Sequence, residues 1–150
     1  MLDKFPLPAE LTPFTVTVRA QRLCEFAKGT GQADRVYLDD AAARAAGHRS
    51  IPVPPTFLFC MEMESPNPLE IYERLGIDFS TVLHGEQEFV YHQLAYAGDR
   101  LHFSPKIVDT YEKQGGALRF VVWETRVETE ARQAIADLKS VMVACRRETE

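Results

Sequence analysis

The sequence predicts an α+β fold in which a long antiparallel sheet wraps around one buried helix. Three observations predict it. Residues 55–63, which run through most of TFLFCMEME (56–64), are apolar on nearly all sides, as in a helix covered from several directions. Residues 81–146 read as four successive strands, separated by the turn signals Gly98-Asp99, Gly115-Gly116 and the polar run 130–133. Helical patterns come before the strands instead of alternating with them, which excludes a βαβ arrangement.

The elements follow in order. The first dozen residues are rich in proline and are expected to be extended. Residues 14–18, FTVTV, alternate apolar side chains with threonine and predict a short strand. Ala20, Leu23, Phe26 and Ala27 recur at helical spacing, so residues 19–28 predict an amphipathic helix, stopped by Gly29 and Gly31. Residues 32–38 read as a loop. Asp39 or Asp40 can cap a short Ala-rich helix that ends at Gly47. Pro54 and Pro55 are tolerated in a first helical turn, so the buried helix can begin there. The run Ser65-Pro66-Asn67-Pro68 breaks it. Asn67 then caps a second helical piece with Pro68 at its first position, a Glu70–Arg74 pair one turn apart, and Gly76 at its stop. The strands are expected over 81–94, 100–111, 117–129 and 134–146, about five in all with the first.

The chain has 150 residues, which predicts one domain over 1–150. Folding at that size buries roughly 68–70% of the unfolded surface, enough for a core without staples. A net charge of −5 argues against a nucleic-acid or anionic-membrane partner. Cys24, Cys60 and Cys145 are odd in number and form no CxxC pair, which points to buried thiols and a reducing, cytoplasmic setting. The N-terminal MLDKFPLPAELTP has two acids and is not expected to be a signal peptide. No apolar run is long enough for a membrane span. There is no HxxxH and no Gly-rich phosphate loop, so no metal and no cofactor are expected.

A sheet wrapped around one apolar helix is the hot-dog arrangement. Three stretches carry a closer likeness: LTPFTVTVRAQRLCEFAKGTGQAD, YLDDAAARAAGHRSIPVPPTF and LGIDFSTVLHGEQEFVYHQLAYAGDRL. The chain resembles the N-terminal type of MaoC-like dehydratases. In that family an Asp-x-Asn-Pro-(apolar)-His stretch stands just before a D-x-x-A-A-R-A-A-G helix, present here as residues 39–47. By this resemblance Gln32 falls on the motif's Asp, Asp34 on its Asn, Arg35 on its Pro and Tyr37 on its His. The resemblance implies a substrate that is an acyl thioester on coenzyme A or acyl carrier protein. It also implies a homodimer, or a heterodimer with a catalytic hot-dog subunit that supplies the Asp and His. Backbone N–H groups at the start of the central helix are implied to polarise the thioester carbonyl.

The residues present set limits on that chemistry. An amide such as Gln32 has no usable proton affinity. Phenols ordinarily titrate near pH ~10, so Tyr37 suits donation better than proton removal. Pro54 and Pro55 lack N–H groups, so carbonyl donors start at Thr56. General acid–base catalysis typically contributes about 10²–10⁴-fold, which a chain without both groups forgoes. His84, beside Gly85 and Glu86, is the remaining acid–base candidate, with a backbone-bonded or interface histidine as the alternative. Substrate-binding candidates are Gln32, Asp34, Tyr37, Thr56, His84 and Gly85. Glu62 and Glu64 offer a thioesterase alternative, against the reading that both sit where the helix emerges from the sheet. A catalytically silent acyl-thioester-binding scaffold is a further class. His48, His92 and His102 are expected at solvated positions, and Asp39 and Asp40 as helix caps.

Overall fold

The computed structural model describes residues 6–146, so part of the expected N-terminal extended stretch lies outside the described residues. The sheet has six strands, one more than expected. They are β1 (Ala9–Glu10), β2 (Phe14–Thr17), β3 (Val82–Tyr91), β4 (Arg100–Lys113), β5 (Leu118–Thr129) and β6 (Ala134–Cys145). The order is β1-β4-β5-β6-β3, with β2 also paired to β4, and every pairing is antiparallel. The additional strand is two residues long. Ala9 and Glu10 have no alternating pattern, and only Ile107 and Lys106 opposite them define the strand.

The helices are α1 (Ala20–Gly29), α2 (Asp40–Ala45), α3 (Phe57–Glu62) and α4 (Glu70–Leu75). The α3 helix is the apolar one, but it starts two residues later than the prolines allow and is six residues long. The Phe57 N–H is donated to the Pro54 carbonyl at 3.0 Å, so a tight turn fills the place of the expected first helical turn. The α2 helix is capped by Asp39, whose carboxylate accepts from the Ala42 N–H. That bond holds the Asp39 carboxyl below its ordinary range; the Arg44 side chain does the same for Asp40. The α4 helix begins at Glu70 instead of Pro68. Asn67 closes the preceding turn by accepting from the Leu69 N–H, and Glu70 and Arg74 pair at 2.5 Å.

The helix ends at Gly76 in the left-handed region, at φ 61° and ψ 39°. A Gly76→Ala change should therefore lower the unfolding free energy by about 1–2 kcal/mol, read from urea denaturation.

Two apolar clusters fill the interior. One gathers α1 and α3 residues such as Leu23, Phe57, Leu58 and Met61 with Phe103, Val127 and Leu138. The other lies under α4, where Ile71 and Tyr72 meet Ile107, Val121, Trp123 and Met142. Val121, Trp123, Thr125 and Val127 occupy alternate positions of β5 and so share one face. The two clusters follow one another along that face, with Thr125 between them. No helix among the described residues is long and apolar enough to cross a membrane.

Candidate functional site

The segment that carries the resemblance folds as a tight loop, with a 3-10 turn over Arg35–Tyr37 inside what the sequence presents as plain loop. Asp34 caps this turn by accepting from the Val36 N–H at 3.0 Å. The Gln32 side-chain oxygen accepts from the Asp34 N–H at 3.0 Å, and the Gln32 N–H donates to the Ala27 carbonyl. Gln32 and Asp34 thus order the loop. Tyr37 is the member of the group that reaches a cleft.

That cleft, about 270 Å³, is lined by Tyr37, Pro54, Pro55, Leu58, Tyr91 and Leu94 among others. It lies at the N-terminal end of α3. The Tyr91 hydroxyl donates to the Pro55 carbonyl, and burial pushes the Tyr91 phenol above its ordinary value. Thr56 is exposed at the helix start. Its carbonyl accepts from Phe59, and its N–H has no backbone partner among the described residues. The Phe57 N–H is already committed, so the stock of carbonyl donors is smaller than the sequence predicts.

His84 and Gly85 are placed elsewhere. Between His84 and Glu86 the β3–β6 register shifts by a bulge. A Cβ on Gly85 would stand 3.1 Å from the Val141 carbonyl oxygen and 3.3 Å from Val143 Cγ2, a tight fit that favours glycine at the bulge. His84 shares a 3.1 Å hydrogen bond with the Glu86 carbonyl through Nε2, and its ring packs 5.0 Å from Phe59. The backbone of Glu86, and not its carboxylate, orients the imidazole.

His84 lines a second cavity, of about 600 Å³, at the C-terminal end of α3. Its wall includes Phe59, Glu62, Tyr72, Phe79 and Trp123, and it shares no lining residue with the Tyr37 cleft. The six candidates therefore divide. Gln32, Asp34, Tyr37 and Thr56 gather near one end of the helix, His84 and Gly85 at the other.

Glu62 departs most from expectation. It does not sit where the helix emerges; it is 4% exposed. Its Oε1 accepts from Trp123 Nε1 at 3.3 Å and from the Thr125 hydroxyl, and burial raises its proton affinity. Burial also pushes the Tyr72 phenol up to about 12. Glu64 does lie at the surface, paired with Arg22. Of the other histidines, His92 is exposed and pairs with Asp137 at 2.7 Å. His48 and His102 are half-buried surface positions, bonded to Tyr96 and Thr15. Trp123, Thr125 and Tyr72 escaped the sequence reading. A polar threonine on the inward face of a strand otherwise built of Val and Trp was the one signal for them.

Residues 8–138 match the family described as FAS1-like, dehydratase domain region. The chain belongs to that family. A UPF0336 protein of Saccharopolyspora erythraea is 31% identical over 127 residues, 85% of this chain and 80% of that one. A UPF0336 protein of Streptomyces coelicolor is 39% identical over 84 residues, 56% of each chain. Among solved structures, a chain of the C-terminally truncated HadBC (3R-hydroxyacyl-ACP dehydratase) complex of Mycobacterium tuberculosis superposes with a TM-score of 0.78 at 17% identity. The match covers 92% of this chain and 95% of that one. The fold is the hot dog of MaoC-like dehydratases, as the resemblance implies.

Proposed function

We propose that residues 1–150 form the non-catalytic half of an acyl-thioester hydratase or dehydratase. The substrate is a 2-enoyl or 3-hydroxyacyl group on coenzyme A or acyl carrier protein. A second hot-dog subunit supplies the Asp and His that move the protons. The observation that carries this reading is the loop at residues 32–37. Where hydration needs a base and an acid, this chain has an amide and a phenol. The amide oxygen of Gln32 is spent on holding the loop.

The partner has support of its own. β3 has one neighbour in the sheet, and its far edge is unpaired among the described residues. Leu83, Val90 and Tyr91 on that strand are exposed, as are Phe79 and Leu94 beside it. An apolar open edge of this kind is a place for a second chain. The HadBC structure is itself a complex. The three thiols are unpaired and suit a cytoplasmic location.

Thioester hydrolysis has weaker support. A base must shed its proton at working pH, and burial favours the protonated form of Glu62, while Glu64 is engaged by Arg22.

Crotonyl-CoA hydration tests the proposal. The purified chain alone is expected to be inactive. Activity is expected when a subunit with an intact D-x-N-P-x-H motif is added, and His84→Ala should leave that activity within about twofold. Full hydration by the chain alone would overturn the need for a partner. A loss of the order of 10²-fold in His84→Ala would move the proton chemistry onto this chain. Release of free CoA without hydration would favour the thioesterase, and ligand binding with no turnover in any combination would favour the silent scaffold.

A further inference from the structure

The open edge of the sheet carries a pattern of its own. Register with β6 fixes which β3 side chains share a face. Leu83, Glu86, Glu88 and Val90 stand opposite Val143, Val141, Lys139 and Asp137, on the side of the sheet away from the core, and all four are exposed. Gln87 and Phe89 alternate with them and turn the other way. Gln87 accepts from the Ser140 hydroxyl, and Phe89 packs against the core. The bulge at Gly85 takes up one residue, so the four occupy successive positions of one face. In order they are apolar, acid, acid and apolar, symmetric about Gln87.

Neither acid is neutralised within the chain. Glu86 and Glu88 form no ion pair among the described residues, and Lys139, across from Glu88, forms none either. Their free side is the edge of β3 that has no neighbour among the described residues.

The symmetry decides what can pair there. In an antiparallel pair of two copies, the register that sets Leu83 against Val90 at both ends also sets Glu86 against Glu88 twice. Like charges directly opposite one another destabilise a strand pair. A slip of two residues keeps one acid opposite its own copy and sets the other against Val90 or Leu83. A slip of one residue turns the whole pattern to the wrong face. A strand with two basic side chains between apolar ones meets every position favourably.

We propose that the β3 edge selects a partner whose own edge strand carries two Lys or Arg side chains between apolar ones, and that Glu86 and Glu88 disfavour pairing of this chain with itself. The inference rests on the reading of β3 as the partner edge, and it favours a heterodimer over a homodimer. The acids act by excluding the wrong partner as much as by attracting the right one.

Sedimentation velocity tests this with three forms of the full chain: unaltered, Glu86→Gln/Glu88→Gln, and Glu86→Lys/Glu88→Lys. The lysine form stands in for a basic edge. An equimolar mixture of the unaltered and lysine forms should associate about 10-fold or more tightly than either form alone, and should weaken as NaCl rises from about 50 to 500 mM. Val90→Asn in both components should weaken the mixture about fivefold or more, which attraction away from the edge would not show. A mixture no tighter than the unaltered chain alone would overturn the proposal, as would an affinity that Val90→Asn leaves unchanged. If the lysine form does not fold, the glutamine form decides. It should associate with itself about fivefold or more tightly than the unaltered chain, and equal self-association would overturn the proposal. Crotonyl-CoA hydration separates this inference from the hydratase reading. A D-x-N-P-x-H subunit that activates with the unaltered and lysine forms equally would sustain that reading and overturn charge selection. No hydration in any combination, with the mixture still associating, would do the reverse.

Discussion

Phe103→Ala should lower the unfolding free energy by about 3–5 kcal/mol, against a total stability of the order of 5–15 kcal/mol for a domain of this kind. Phe103 is fully buried on β4, and its ring stacks on Phe14 of β2 with centroids 5.1 Å apart. The two are register partners, and Phe103 also faces Val127 on β5. Three strands therefore surround the space that alanine would empty, and paired strands cannot close in to fill it. Urea denaturation should show a lower midpoint with the slope unchanged. Phe120 gives an internal control. It stacks on Tyr111 at 4.7 Å in the same parallel manner but is only half-buried. Phe120→Ala should cost less than about half as much, because the loss follows buried area and not ring geometry. Equal losses at the two positions would contradict this account of the core.

A second large effect should appear as a pH dependence controlled by Glu62. Burial raises its pKa from an ordinary 4.5 in the folded protein, while the unfolded chain keeps the ordinary value. Below 4.5 both states carry the proton and the carboxyl costs nothing extra. As pH rises past 4.5 the unfolded chain ionises and the folded protein does not. The unfolded state then binds fewer protons, so stability falls, and it keeps falling until pH passes the folded pKa. Each tenfold difference in proton affinity between the two states is worth about 1.4 kcal/mol. Glu62→Gln cannot ionise. Its stability relative to the unaltered protein should therefore improve as pH rises above 4.5, until pH passes the raised folded pKa, with the other carboxylates cancelling in the comparison. The neighbouring His84 opposes part of this by favouring the Glu62 anion. A pH-independent difference between the two proteins would mean that Glu62 ionises normally.

Strand content was legible because these strands are long, alternate cleanly and end at glycine-marked turns. The Gly98-Asp99 turn is fixed as expected, with Asp99 bound by Arg49 and by the Tyr96 N–H. Gly115 and Gly116 do join β4 to β5, although the loop also takes in Gln114, at a φ of 53°. The boundaries of α3 were harder to read. Proline permits a helix start without enforcing one, and the choice of a turn at Pro54 depends on the carbonyl that the Phe57 N–H finds. Strand β3 ends at Tyr91, short of the expected residue 94, because the backbone N–H groups of His92 and Gln93 both turn to the Ile135 carbonyl. The burial of Glu62 was not legible at all. A glutamate at the end of an apolar helix looks like a solvated terminus until the partner strand is known. Its partners, 61 and 63 residues away, are set by sheet register. Likewise, nothing in the sequence shows that His84 lines a different cavity from Tyr37, at the other end of α3.

The sheet order also sets a timetable. β3 precedes β4 and β5 along the chain, yet its one neighbour is β6, with Val82 opposite Ala144 and Tyr91 opposite Ala136. β4 and β5 are adjacent hairpin arms and can pair as soon as both have left the ribosome. β3 emerges earlier, and its backbone groups and apolar side chains must wait some fifty residues of synthesis for β6. During that interval both edges of β3 are open. Glu86 and Glu88, at alternate positions of the strand, are the two acids between Leu83 and Val90 while it waits. Mutations that remove those two acids should therefore show first as lost yield during expression, before any change in the finished protein.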